Sequence, residues 1–101
     1  MPTLTLPQLV AGRDLATAAV RKLGAIEAAH VIVDARPLIS GSTSFAGQLV
    51  RSTLVDGGAA KLTVVGGPPD FLDDIRIAAK SLDVTERVAF AANDVDLGVA
   101  S

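Results

Sequence analysis

The sequence contains no cysteine, tryptophan or tyrosine, and its aromatic side chains are three phenylalanines. Without cysteine there are no disulfides, thiolate metal sites or thiol catalysis. Without tryptophan and tyrosine, stacking on bases or sugars is not expected. A basic excess is also missing, since nine Lys and Arg face eleven Asp and Glu, for a net charge of −2. Nucleic acids and anionic membranes attract basic surfaces, so neither is an expected partner.

Long hydrophobic runs are missing as well. No apolar run approaches the ~20 residues that span a bilayer, and the N-terminus lacks the apolar stretch of a signal peptide. We therefore expect a small soluble domain in the cytoplasm. The 101 residues are half hydrophobic and one fifth charged, a composition typical of one globular domain. Residues 1–101 are thus predicted to form a single domain.

Short apolar runs recur along the chain and predict four strands. Thr3–Leu6 alternates between polar and apolar residues, as an edge strand does, and Pro7 ends it. Val31–Val33 is a continuous apolar run, typical of a strand in a parallel sheet that is covered on both faces. Leu62–Val65 is the next strand. Val88–Phe90 is the last short strand.

Helical patterns lie between these strands. Asp14 is expected to cap the first helix, which contains Gly24. Its apolar stripe is predicted at Leu15, Ala19, Leu23 and Ile26.

The second helix is expected to start near Phe45 and to end at Gly57–Gly58. The third starts at Pro68–Pro69–Asp70 and continues through Leu82. Asn93 is expected to cap a final helical turn through Leu97. This order, β-α-β-α-β-α-β with short connections, predicts an α/β fold with a single layer of about four mostly parallel strands.

The loop Ser40–Ser44 is the first candidate for function, because functional groups collect at the carboxyl ends of the strands in open α/β sheets. It places three hydroxyls, Ser42, Thr43 and Ser44, where the second helix begins. One interpretation is a helix N-cap, for which serine and threonine are preferred. A second is a phosphoacceptor site, where phosphate adds roughly −1.5 to −2 charge. A third is a small anion pocket formed by hydroxyls and helix N–H groups.

The loop Gly66–Asp70 is the second candidate. It lacks the spacing of a dinucleotide-binding turn, and no Gly-Lys-Ser/Thr follows it to hold phosphates. Its two prolines also remove backbone donors. A tight turn into a helix is therefore the favoured interpretation.

Residues for catalysis or metal binding are few. His30 is the single histidine, and a triad would have to join it to a distant serine. Asp34 is expected to accept hydrogen bonds that organise a loop, since no acid partner for a general base is visible. The spacing of Asp70, Asp73 and Asp74 suits a helix start better than a cation site. We therefore predict no enzyme activity, metal or cofactor.

The order of these segments resembles the STAS domain, a family named for sulfate transporters and anti-sigma-factor antagonists, and in particular its divergent STAS-like branch. The resemblance extends from about Leu4 to Leu97. Val31–Asp34 is similar to the family's hydrophobic strand that ends in Asp. Leu38–Phe45 is similar to its phosphorylatable loop and second helix, and residues 61–66 and 71–82 to its next strand and helix.

The resemblance implies a non-enzymatic regulatory module that docks on an ATPase-fold Ser/Thr kinase or a similar partner protein. Phosphorylation of the loop switches off docking in the family's anti-sigma-factor antagonists. Alignment on Phe45 places Thr43 at the phosphoacceptor position and Ser42 just before it. The family pattern Asp-Ser-Ser/Thr-Gly is altered here, with Gly41 in place of Asp and Ser44 in place of Gly.

The expected contact surface therefore combines the hydroxyl loop, the adjoining helix face and the glycine turn. Its candidate residues are Ser40, Gly41, Ser42, Thr43, Ser44, Phe45, Gln48, Gly66 and Gly67. Two alternatives stay open, an accessory scaffold subunit of a transport-type ATPase complex and a binder of a small phosphate or nucleotide ligand. A homodimer is compatible with each of them.

Overall fold

The protein, in a computed structural model that describes residues 2–91, folds as a parallel sheet with helices on one face. The strands in chain order are β1 (Thr3–Thr5), β2 (Leu9–Val10), β3 (His30–Asp34), β4 (Ser40–Gly41), β5 (Lys61–Val65) and β6 (Val88–Ala91). The helices are α1 (Arg13–Arg21), α2 (Thr43–Val50), which continues as a π-helix (Arg51–Asp56), and α3 (Pro69–Ser81), followed by a 3₁₀ turn (Thr85–Arg87). The main sheet has the order β1-β3-β5-β6, and all its pairings are parallel. The predicted α/β class and parallel four-stranded sheet are confirmed.

The pairing register explains why the helices share one face. It aligns Val31 with Leu62 and Val33 with Val64, and all four side chains are fully buried in the cluster that contains the apolar helix residues. Each strand pairs with the strand of the next β-α unit, so right-handed crossovers place α1, α2 and α3 on the same side. The alternate residues of edge strand β1, Thr3 and Thr5, are exposed.

The segment Ser40–Gly41, predicted as part of a turn, is instead strand β4. It pairs in parallel with β2, which sequence patterns did not reveal because each strand has only two residues. A Cβ on Gly41 would lie 2.6 Å from the ring of Phe71. Glycine is therefore required where this ladder lies against the core.

Helix α1 differs from its prediction in cap, length and buried face. Gly12, with φ of 86°, is its N-cap, and Asp14 lies in the first turn. The helix ends at Arg21, so Gly24 lies beyond it at φ of 76°. Ala16 and Val20 are the buried residues, whereas Leu15 is 46 % exposed. The prediction was wrong because Leu23 and Ile26, which pack on the core from the following loop, were counted as helical.

The other helix predictions hold within residues 2–91. The second helical segment ends at Asp56 with Gly57 as its C-cap, and Pro69 opens α3. The predicted turn capped by Asn93 lies outside the described residues. No helix within residues 2–91 has the length and apolar composition to cross a bilayer.

The π-helix carries a buried polar group that α-helical periodicity does not predict. Thr53 is fully buried, and its Oγ1 has no hydrogen-bond partner among the described residues. A buried hydroxyl without a partner is destabilising, because it loses its hydrogen bonds to water.

We expect Thr53→Val to raise the free energy of unfolding by about 1 kcal/mol, since valine keeps the shape and removes the unpaired hydroxyl. Urea denaturation measures the change. Thr63→Val is the matched control, because the hydroxyl of Thr63 is 2.7 Å from Nε2 of His30 and its removal should destabilise the protein. A loss of stability in Thr53→Val would contradict the assignment.

Candidate functional site

The hydroxyl of Ser42 caps the start of α2. Its Oγ accepts a hydrogen bond from the backbone N–H of Phe45 at 3.0 Å. The same oxygen accepts the N–H of Gly12, the N-cap of α1, at 3.2 Å. The capping interpretation is therefore confirmed for Ser42, and one side chain joins the starts of two helices.

The short β2–β4 ladder positions this double cap. The backbone N–H of Ser42 donates to the carbonyl of Val10 at 3.0 Å, and Ile39 and Ser40 both donate to the carbonyl of Gln8. The ladder thus brings the two chain segments that lead into α1 and α2 side by side. Ser40 itself is exposed on β4.

The next hydroxyl, on Thr43, is free of the cap. Thr43 is the first residue of α2 and is exposed, and its Oγ1 donates to Oδ2 of Asp74 on α3 at 3.2 Å. This hydrogen bond is the polar link between the two helices at the N-terminal end of α2. Ser44 is likewise exposed.

A groove of about 410 Å³ runs along the surface between α2 and α3. The predicted contact residues Thr43, Ser44 and Gln48 line it, and Arg13 and Arg51 contribute two guanidinium groups. Its remaining lining comes from α2 and α3, namely Gly47, Asp74, Ile77, Ala78, Ser81 and Leu82.

Two of the predicted contact residues, Phe45 and Gly66, are buried inside the fold, and two more, Gly41 and Gly67, are half-buried. Phe45 is 1 % exposed, and its ring centroid lies 6.3 Å from that of Phe71, so a partner does not reach it. Gly41 lies against the same Phe71 ring, as described above. Gly66 is buried, and a Cβ on Gly67 would lie 3.0 Å from that of Ala35.

Phe45 and Gly66 are therefore corrected to structural positions, whereas contact of a partner with Gly41 and Gly67 stays a prediction. Phe45 supplies the apolar anchor of α2, because aromatic rings are the largest groups available to this core. Gly66 and Gly67 both have positive φ, at 63° and 102°. Such backbone favours glycine in a tight turn, as the sequence predicted for this loop.

Asp34 organises the connection that leads from β3 to this site. Its Oδ1 accepts from the backbone N–H and the Nε of Arg36, and its Oδ2 accepts from Nη2 at 2.9 Å. The hydrogen bonds from the Arg36 side chain hold the pKa of Asp34 below its ordinary value, although burial opposes this. The predicted role of Asp34 as a loop-organising acceptor is confirmed.

His30 lies away from the candidate site. It occupies the amino end of β3, four residues and about 13 Å of extended strand from Asp34, and its Nε2 pairs with Thr63 on β5. Ser42, at the start of α2, lies beyond the carboxyl end of the strands. His30 is thus not brought to Ser42 or Asp34, and no group of three potential metal ligands occurs within residues 2–91.

Sequence patterns missed Arg13, Arg51, Asp74 and Ile77 as groove residues. Their separate charges and single apolar positions are ordinary for helix surfaces, so only the packing of α1 and α3 against α2 reveals their proximity. Ile77 is 66 % exposed, which its position in the sequence does not reveal. Comparison of the chain with family models, curated proteins and solved structures found no match.

Removal of the double cap should destabilise the fold selectively. We expect Ser42→Ala to lower the free energy of unfolding by about 1–2 kcal/mol, because two backbone N–H groups lose their acceptor. Ser44→Ala, two residues along the same turn, should change it by less than about 0.5 kcal/mol. Urea denaturation of both variants measures the difference, and equal losses would contradict the capping assignment.

The Asp34–Arg36 pair should give a pH-dependent contribution to stability. A lowered pKa means that the carboxylate stabilises the fold above its ordinary pKa of about 3.9 and that this contribution disappears as the pH falls through the folded-state value. We expect Asp34→Asn to cost about 1–2 kcal/mol at neutral pH, and the difference from the unmodified protein to vanish in acid.

The matched control for this pair is Asp73→Asn. Asp73 pairs with Arg76 at 2.9 Å, but both side chains are more than half exposed. Solvent screening should limit its effect to less than about 0.5 kcal/mol. Thermal unfolding from acid to neutral pH measures both variants, and a pH-independent effect of Asp34→Asn would contradict the assignment.

Proposed function

We propose that the protein is a non-enzymatic interaction module of the STAS type. It docks through the α2–α3 groove on an ATPase-fold Ser/Thr kinase or a similar partner protein, and phosphorylation of Thr43 switches the docking off. A partner of this kind places the module in the cytoplasm.

The observation that carries this proposal is the contrast between neighbouring hydroxyls. The Oγ of Ser42 accepts two backbone hydrogen bonds, whereas Thr43 is exposed at the edge of the groove. A kinase can reach Thr43 without breaking the cap on which both helix starts depend. We therefore select Thr43 over Ser42 as the phosphoacceptor.

The surroundings of Thr43 supply a physical reason for a switch. Its hydroxyl donates to Asp74, and a phosphate there would add roughly −1.5 to −2 charge beside that carboxylate. The hydrogen bond between α2 and α3 would be replaced by repulsion. A partner with acidic side chains at this end of the groove would be repelled as well.

Two features of the fold support the proposal. The alternating β-α order agrees with the expectation from the STAS resemblance, and the strand end that carries Asp34 leads into the hydroxyl loop. Three residues of the predicted contact set line the groove and are accessible there, namely Thr43, Ser44 and Gln48.

The test is calorimetric titration with a purified ATPase-fold Ser/Thr kinase. We expect the unmodified protein and Thr43→Ala to bind with similar affinity, and Thr43→Glu to bind about tenfold more weakly because its charge mimics phosphate. Thr5→Glu is the matched control, since Thr5 is exposed on the edge strand and does not line the groove. It should bind like the unmodified protein.

A kinase reaction with ATP, followed by intact-mass measurement, tests the modified residue. The unmodified protein and Thr5→Glu should each gain one phosphate, and Thr43→Ala should gain none. No binding to the kinase, or phosphate on Thr43→Ala, would refute the proposal. Equal binding of Thr43→Glu would refute the switch and favour permanent docking, as in an accessory scaffold subunit of a transport ATPase.

A further inference from the structure

The floor of the α2–α3 groove is kept low by small residues. Gly47 lies within α2, and a Cβ added to it would meet nothing within 4 Å. Glycine inside a helix is less favourable than alanine, and no packing constraint requires it here. Because Gly47 has no side chain, the groove is deeper at this position and another chain can approach the backbone of α2 closely.

One wall of the groove presents an apolar side chain to solvent. Ile77 on α3 is 66 % exposed, and Ala78 and the half-buried Leu82 line the groove beside it. Single exposed apolar residues are common on protein surfaces. An isoleucine that borders an open groove with a glycine floor, however, offers a contact for an aliphatic side chain.

The opposite wall is positively charged. Arg13 and Arg51 both line the groove, and neither forms an ion pair with the described part of the chain. Asp74 is the acidic residue of the lining. It lies at the Thr43 end of the groove, where its carboxylate accepts the hydrogen bond of Thr43, and it does not pair with Arg51. Arg51 is eight positions beyond Thr43, or about 12 Å along a helix.

We infer that the occupant of this groove is an amphipathic helix of the partner protein, with acidic side chains about two helical turns apart and an aliphatic side chain between them. One acidic group pairs with Arg51 and the other with Arg13. The aliphatic group lies over Gly47 against Ile77. This inference rests on the proposed function, because it specifies how the docking partner is recognised.

The spacing follows from the groove itself. Arg13 lies at the Thr43 end of the groove, because it borders a second surface depression together with Ser44. Two turns of an α-helix cover about 11 Å, which matches the distance along α2 from this end to Arg51. Residues one turn apart share a helix face, so the central aliphatic side chain faces the groove with both acidic ones. A phosphate on Thr43 would oppose the acidic group that pairs with Arg13.

The test is selection from a displayed library of helical peptides, randomised along one face, against the immobilised full chain. We expect the selected peptides to carry two acidic residues about two turns apart with an aliphatic residue between them. Arg51→Gln should weaken their binding about fivefold, and Gly47→Leu about tenfold by filling the floor. Circular dichroism checks that each variant is folded.

Two matched controls test whether the groove itself is responsible. Lys80→Gln removes the same charge from an exposed position of α3 outside the groove lining. Val55→Ser removes a 45 % exposed apolar side chain from the π-helix, for comparison with Ile77→Ser. Both controls should bind the selected peptides like the unmodified protein, whereas Ile77→Ser should bind them more weakly.

Selection of basic or purely apolar peptides, absence of selected peptides, or binding unaffected by Arg51→Gln and Gly47→Leu would overturn the inference. The kinase titration separates this result from the proposed function. If the kinase binds in a Thr43-dependent way but is unaffected by Arg51→Gln, the inference fails alone. If acidic helices bind in the groove and the kinase does not, the assigned partner fails and the groove chemistry stands.

Discussion

The first N–H groups of a helix lack partners within the helix, and in this protein one hydroxyl accepts such an N–H from α2 and also the N–H of Gly12, the residue that precedes α1. Ser42 accepts from Phe45 in α2 and from Gly12 at the start of α1. The direction of both helices is thereby set at the same point, just beyond the β2–β4 ladder. Since α3 packs against α2, the position of the groove between them depends on this oxygen as well.

The two adjacent hydroxyls of Ser42 and Thr43 have different roles because of that constraint. The capping residue Ser42 is half-buried, and its oxygen accepts hydrogen bonds from two backbone N–H groups. Its neighbour Thr43 is exposed at the surface, where a carboxylate of α3 accepts its hydrogen bond. A chemical change at the first would disturb the fold, but a change at the second would alter charge along a groove and leave the helix starts intact. A structural hydroxyl and an accessible one therefore occupy consecutive positions of one loop.

Sequence patterns predicted the sheet well because continuous apolar runs such as Val31–Val33 admit few other structures. They also identified the function of Asp34, whose position at a strand end favours local hydrogen bonding. They failed for α1, where Ala16 and Val20 pack inward and the larger Leu15 does not. Small residues that allow two helices to approach give a weak periodic signal. The groove could not be predicted, because it combines side chains from three helices whose spacing is fixed only by packing.

The strand order of the main sheet runs in the same sequence as the chain, β1-β3-β5-β6. Each new strand is added at the outer edge of those already formed, and none has to be inserted between two earlier neighbours. The pairings of this sheet within residues 2–91 are all parallel, so each one joins strands that a complete crossover separates along the chain. Non-local pairing of this kind forms more slowly than a hairpin, because a long loop must close first.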